Sequence, residues 1–476
     1  MKNTHFLKII EEISTDLNPW EIFLPFSKKL NNVLLESSLI DKKLGKYSII
    51  GIDPFLIFKS KNNKNKITYP FINKTSVIYG NTFDVLGQLI KKYSFIKDKS
   101  FPIYGGAIGY FAYEQFHNVE SKLKIKTIDD LKLPDSYFCF YDIVILFDHF
   151  KNKKYIIAID YLNNKTKLQK RIRDIKDIIK KTSKLKRIDI KNTKFMHKPI
   201  SSASQKEYED MVKKIRDYIK AGDIYQVCST YKMYMNYSNS PQTLYHILRQ
   251  INPAPFSCYL NYPKFQVISS SPERFLSILN GNIQARPIKG TRPRGKNKHE
   301  DDKHYIELKK SIKDKAENVM IVDLLRNDIG RVCKTGTVKV SELFKIERYA
   351  TVLQLVSTIE GVLDRKYTNL ECLKACFPGG SMTGTPKIRA MEIISELEKY
   401  NRGIYSGCIG YIGFNKNMDF NIVIRTIILK NKKAYFNVGG GIVYDSVPLI
   451  EYYESLDKAK ALISAINYAQ NLEASL

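Results

Sequence analysis

Phe377-Pro378-Gly379-Gly380-Ser381-Met382-Thr383-Gly384-Thr385-Pro386-Lys387 is a glycine-rich loop running into a helical segment, and its reading decides the rest of the chain. Thr385 stands where it can cap that helix and Pro386 where it can open it. Free backbone N–H groups at such a helix start form a seat for an anion. Gly384 is followed by Thr-Pro-Lys and not by Lys-Ser/Thr, so the loop is not a nucleotide-binding Walker A cradle. A carboxylate guest suits it better. A second glycine run, Gly439-Gly440-Gly441, reads as another such loop just ahead of the helical stretch that carries Glu451. Two anion cradles imply a substrate with two carboxylates.

Two pairs of acidic residues lie on segments of helical character. Asp314 and Glu317 are three apart, as are Glu451 and Glu454, so each pair shares one helix face. Oxygen donors without His or Cys alongside suit a hard cation whose shell a substrate carboxylate completes. Taken alone, each pair is more often a solvated helix face. Pro287-Ile288-Lys289-Gly290-Thr291-Arg292-Pro293-Arg294-Gly295 adds a third feature. Lys289 sits between apolar Ile288 and a glycine turn, the setting of a desolvated amine nucleophile. In a chain this rich in lysine, only context separates Lys289 from surface decoration.

Working outward, Leu168, Ile172, Ile175, Ile178 and Ile179 recur at helical spacing and predict a helix over 165–181. The polar, lysine-rich residues 183–203 read as a linker. Ser204 and Glu207 then form a capping box ahead of Met211, Val212, Ile215, Tyr218 and Ile219, with Gly222 as the stop. Strands are expected at 224–235, 256–262, 265–270 and 275–278, followed by one long helical region over 303–325. Residues 20–160 read as short strands and turns. The chain divides into an N-terminal region at 1–182, the linker, and a catalytic region at 204–470. Strand and helix blocks without regular βαβ spacing indicate an α+β fold.

The bulk properties exclude several classes of function. The 476 residues are 43% hydrophobic, enough for a substantial core. The net charge of +29 invites a nucleic-acid reading, but the lysines are spread over the whole length and accompany an excess of Asn, Ile and Tyr, the signature of an A/T-rich coding sequence. Nucleic-acid binding is not expected. The seven cysteines are odd in number, scattered and without a Cys-x-x-Cys pair, which argues for a reducing compartment and against structural zinc. Charged and apolar residues alternate through Ile9, Ile10, Glu11 and Glu12, leaving no uninterrupted apolar core for a signal peptide. The strongest apolar run, 143–147, is flanked by Asp142 and Asp148 and reads as a buried strand, so no membrane span is expected. The expected location is cytoplasmic.

Segments 222–227, 270–275, 287–295, 316–332, 355–359, 377–393 and 439–446 together resemble the chorismate-utilising family of anthranilate, aminodeoxychorismate, isochorismate and salicylate synthases. Leu34-Leu35-Glu36-Ser37 and Lys46-Tyr47-Ser48-Ile49-Ile50-Gly51 resemble the family's N-terminal half more loosely. The resemblance implies two interlocked subdomains, with antiparallel sheets packed between helical layers. It also implies chorismate as substrate and Mg²⁺ as cofactor. Glu317 and Glu454 would bind the metal directly, with Asp314 and Glu451 behind through water. Glu273, in Ser271-Pro272-Glu273-Arg274, matches the family's acid. Arg425, Tyr405 and Lys458 match positions that hold the enolpyruvyl carboxylate, and Gly290, Thr291, Ser381, Gly439 and Gly441 match further substrate contacts.

Three positions sort the family's branches. Lys289 matches the lysine characteristic of aminodeoxychorismate synthases, where anthranilate synthases usually carry alanine. Gln226 stands at a substrate-binding position where isochorismate and salicylate synthases carry a water-activating lysine. Gln354 stands where anthranilate synthases have histidine. The chain contains no glutaminase module, so the resemblance implies ammonia from a separate glutamine amidotransferase subunit, as a heterodimer. Some relatives bind tryptophan through the Leu-Glu-Ser segment and an Asn-Pro-Ser-Pro-Tyr-Met motif. Here the latter reads Asn252-Pro253-Ala254-Pro255-Phe256-Ser257, and tryptophan inhibition is not expected.

Overall fold

Local signals set most of the helices. In the computed structural model, which describes residues 7–472 apart from Lys42, 95–97, 124–126, 162–163, Asp189, 191–196 and 350–351, the periodic stretch forms the helix Lys165–Lys181 and buries Leu168, Ile172, Ile175 and Ile179. The capping box starts the helix Gln205–Lys220: Ser204 Oγ accepts from the Glu207 N–H at 3.3 Å, and the Glu207 carboxylate accepts from the Ser204 N–H at 2.6 Å. Asp189 and 191–196 of the expected linker lie outside the described residues.

The single helix expected over 303–325 is two helices, Lys298–Lys310 and Ile312–Gly330. Ser311 ends the first and caps the second, its hydroxyl accepting from the Asp314 N–H at 3.2 Å. A serine that bonds the backbone locally competes with helix continuation. Thr385 does not cap the next helix. It is held in a short strand opposite Gln226, and the helix Lys387–Leu397 begins after Pro386 with no side-chain cap. Gly439-Gly440-Gly441 is not a loop either: it lies inside the strand Lys433–Ile442, paired with Thr230, Ser229 and Cys228.

Among the described residues, twenty-four strands build two sheets, each of twelve. One sheet runs from Lys8–Glu12 through Lys153–Ile159, Ile143–Asp148, Tyr47–Gly51 and Val33–Glu36 to Phe256–Tyr262, Phe265–Ser271, Thr426–Lys430, Lys433–Ile442 and Gln226–Asn236. The other runs from Lys74–Tyr79 through Lys64–Tyr69, Leu56–Lys61, Ser136–Tyr141 and Gly106–Phe111 to Cys408–Gly413, Met418–Ile422, Arg274–Leu279, Asn282–Arg286 and Val352–Val362. In each sheet five strands come from before residue 160 and seven from residue 200 onward, and the two sets join at one antiparallel seam: Val33–Glu36 against Phe256–Tyr262, and Gly106–Phe111 against Cys408–Gly413. At the second seam Gly109 faces Gly410, and a Cβ on either would lie about 2 Å from a backbone carbonyl of the next strand.

Aromatic side chains fill the space between the sheets, with Tyr137 stacked on Tyr262 at 3.9 Å between ring centres. The fold is of the α+β class. Among the described residues no helix is long and apolar enough to cross a membrane, and all seven cysteines are buried free thiols.

Candidate active site

Two of the turns at which the chain passes between the sheets each deliver a charged side chain to one cavity of about 570 Å³. The turn between Phe265–Ser271 and Arg274–Leu279 carries Glu273; the turn between Met418–Ile422 and Thr426–Lys430 carries Arg425. Every residue singled out from the sequence lines this cavity except Gln226, which sits just behind Gly441: a Cβ on Gly441 would meet Gln226 Nε2 at 2.4 Å and Lys289 Nζ at 3.0 Å. The glycines keep the cavity wall bare, and a Cβ on Gly440 would point at Lys458 and Glu451.

Lys289 reaches the cavity through a break in strand pairing. Ile288–Pro293 pairs with Val352–Val362 at Ile288 and again from Thr291, and the register shifts between them. Gly290 takes a φ of +85° in that bulge, and any Cβ there would lie 2.8 Å from the Asp314 carboxyl carbon. Only glycine meets both conditions. Asp314 and Glu317 occupy the first two turns of Ile312–Gly330, and Glu451 and Glu454 those of Pro448–Asn471. Helix N-termini favour negative charge.

Each of the four carboxylates has a basic partner: Arg292 for Asp314 at 2.9 Å, Lys289 for Glu317 at 3.7 Å, Lys313 for Glu451 at 3.5 Å and Lys458 for Glu454 at 2.9 Å. Burial lifts the Glu317 carboxyl above its usual range, against the charges of Lys289 and Lys313. Glu454 has about half of its side chain open to solvent; its partial burial opposes, and Lys458 drives, a shift below that range. The Lys313 ammonium is raised, against its burial, by Glu451, Glu317 and Glu454. An all-oxygen donor set suits Mg²⁺ in type. In position the carboxylates are spread over their bases, and among the described residues no three acidic, His or Cys side chains close on one point.

Glu273 is buried, and burial pushes its carboxyl up to about 7, against a hydrogen bond from Ser381, the charge of Lys289 and the Ile288 backbone N–H. A carboxyl of that kind holds a proton near neutral pH and can donate it. Arg425 is mostly buried, which lowers its guanidinium, and among the described residues the one hydrogen bond its side chain makes goes to Asn252 Oδ1 at 3.2 Å. Among the described residues no carboxylate pairs with it. A buried guanidinium without a counter-ion is costly, and an anionic guest removes the cost. Gln226 is 1% exposed and its Oε1 has no hydrogen-bond partner among the described residues.

The sequence reading missed Lys313, which stands among three of the four carboxylates, and Cys228, Asn437 and Asp457, which line the same cavity. Lys313 directly precedes Asp314, so asking what flanks each carboxylate on its helix would have found it. A second cavity, of about 770 Å³, lies against the first sheet seam and is lined by Glu36, Ser37, Tyr47, Phe256 and Ser257.

Residues 37–464 match the family described as chorismate binding enzyme. The chain is 38% identical to anthranilate synthase component 1 of Acetivibrio thermocellus, over 98% of this chain and 97% of that protein. It is 36% identical to aminodeoxychorismate synthase component 1 of Bacillus subtilis (strain 168), over 92% of each. Among solved structures, anthranilate synthase component I from Streptococcus pneumoniae TIGR4 superposes with a TM-score of 0.77 at 30% identity, over 89% of this chain and 94% of that one.

Proposed function

The chain belongs to the family of chorismate-binding enzymes, and within it we propose that this member converts chorismate and ammonia to 4-amino-4-deoxychorismate. The observation that carries the reading is Lys289, whose amine projects from a strand bulge into the cavity beside Glu317 and Gly441. Arg425, Tyr405 and Lys458 hold the enolpyruvyl carboxylate. Gly290, Thr291, Ser381, Gly439 and Gly441 line the rest of the seat, with Gln226 behind them.

Glu317 and Glu454 would hold Mg²⁺, with Asp314 and Glu451 behind them, and the cation would supply Lewis-acid polarisation of the ring carboxylate of chorismate. Glu273 gives its proton to the 4-hydroxyl, which leaves as water while the lone pair of the Lys289 nitrogen bonds to C2. Ammonia then bonds to C4, and the electron pair of the breaking C2–N bond returns to Lys289. Two allylic displacements thus put nitrogen at C4. No pyruvate is released, so a separate lyase completes p-aminobenzoate for folate. The ammonia comes from a glutamine amidotransferase subunit, and the complex is cytoplasmic.

A second reading, chorismate to anthranilate plus pyruvate, is favoured by the anthranilate synthases among the relatives. Lys289 and Gln354 weigh against it. The deciding experiment identifies the product by mass spectrometry from purified chain, chorismate, Mg²⁺ and ammonium, with and without aminodeoxychorismate lyase. We expect an aminated chorismate that the lyase converts to p-aminobenzoate and that Lys289→Ala no longer forms. Anthranilate and pyruvate from the unmutated chain would sink the proposal.

A further inference from the structure

Behind the cavity wall, outside the lining of the cavity itself, lies a buried ion pair that the proposed chemistry does not use. Arg402 and Glu398, at 1% and 5% side-chain exposure, are joined by two hydrogen bonds of 2.9 and 2.6 Å. The remaining guanidinium bonds go to three separate segments: to the Met382 carbonyl at 2.6 Å, the Cys228 carbonyl at 2.7 Å and Ser406 Oγ at 3.3 Å. Glu398 in turn accepts from the backbone N–H and the hydroxyl of Thr230 at 2.9 and 3.0 Å. The Tyr113 ring covers the guanidinium at 4.7 Å.

Each tether ends beside a residue of the cavity. Met382 follows Ser381, Ser406 follows Tyr405, and Cys228 lies two residues after Gln226 on the strand Gln226–Asn236. A planar guanidinium presents five N–H donors in a fixed fork, so it can bind three carbonyl or hydroxyl oxygens and a carboxylate at once; an ammonium cannot. A buried guanidinium needs an acceptor for each of its N–H donors as well as a counter-ion, and here those acceptors tie together three segments of one wall.

We propose that Arg402, held by Glu398, is a positioning residue that fixes Ser381 and Tyr405 against the strand carrying Gln226, and so sets the geometry around Glu273. The proposal rests on the family's chorismate chemistry, whichever aminated product forms. The groups facing Glu273 are the Ser381 hydroxyl, the Lys289 ammonium and the Ile288 N–H; neighbouring Arg274 is turned away onto Asp419 and Gln284. The Ser381 hydroxyl favours the charged carboxylate, so releasing Ser381 keeps Glu273 protonated to higher pH.

The test follows loss of chorismate with Mg²⁺ and ammonium across pH for the unmutated chain, Arg402→Lys, Ser381→Ala and the double variant. Arg402→Lys is expected to raise the KM for chorismate and lower kcat, each roughly tenfold. It should also move the alkaline limb of kcat/KM upward by roughly half a pH unit, as Ser381→Ala does, with no further movement in the double variant. A purely structural Arg402 would reduce folded protein and leave the limb in place, and that result overturns the proposal. Should Arg402→Lys not fold, Ser406→Ala carries the test, since it removes one tether and no charge. It is expected to raise KM roughly threefold with kcat unchanged, and an unaltered KM overturns the proposal. An unmutated chain that leaves chorismate untouched sinks the functional reading itself.

Discussion

Glu114 and Glu273 are both buried carboxyls that burial pushes up to about 7, and only Glu273 faces the cavity. Glu114 accepts a hydrogen bond from the Gly403 N–H at 3.2 Å, which with its own N–H only partly offsets the burial. Its folded value lies above the ordinary 4.5, so the native state retains a proton that the unfolded chain gives up. Stability is therefore undiminished below pH 4.5, falls as pH rises from there towards 7, and stays lower above it. Glu114→Gln keeps the acceptor for Gly403 and removes the titration. Urea unfolding should find this variant more stable than the parent at pH 8, by up to about 3 kcal/mol, and unchanged near pH 4. At this scale the sequence was most legible where chemistry comes in runs: the segments around Lys289, Ser381 and Gly441 identified themselves. Lys313 and Arg402 did not, because a base near an acidic neighbour is commonplace in this chain, and what sets these two apart, Glu451 for Lys313 and the Cys228 carbonyl for Arg402, lies more than a hundred residues away.

Gly439 and Gly441 lie two apart on one strand, yet their glycines answer to different neighbours. A Cβ on Gly439 would lie 2.0 Å from the Ser229 carbonyl oxygen, fixed backbone of the paired strand. A Cβ on Gly441 would meet the ends of two flexible side chains, Gln226 and Lys289. Gly439→Ala should thus cost about 1–3 kcal/mol in thermal or urea unfolding. Gly441→Ala should melt like the parent and lose roughly a hundredfold in turnover, because it displaces the Lys289 amine, the proposed nucleophile. The glycine triplet reads as a loop because glycine normally marks one, and sequence alone does not distinguish a need for space from a need for positive φ. Helix signals fared better: the 165–181 period and the Ser204 box are complete within a few residues. The break at Ser311 was hidden by polar residues that suit a helix face and a cap alike.

The arrangement of the sheets had no local signal at all. Pairing Val33–Glu36 with Phe256–Tyr262, or Gly106–Phe111 with Cys408–Gly413, joins segments more than two hundred residues apart. The interlocked architecture came from the resemblance, not from period or spacing. Since both sheets are shared, residues 204–472 expressed alone would present two open sheet edges and expose the apolar faces that the N-terminal strands cover. We expect that fragment to lack cooperative unfolding by circular dichroism and to recover it on co-expression with 1–203; a cooperative isolated fragment would refute this. The seams also set a timetable for synthesis. A ribosome adding about 5–20 residues per second leaves the strand ending at Glu36 waiting roughly 10–45 s for its partner at Phe256 to be made. The second seam waits longer still, so two strand edges of every nascent chain must survive unpaired, and a cell that makes this protein well has to shelter those edges until their partners emerge.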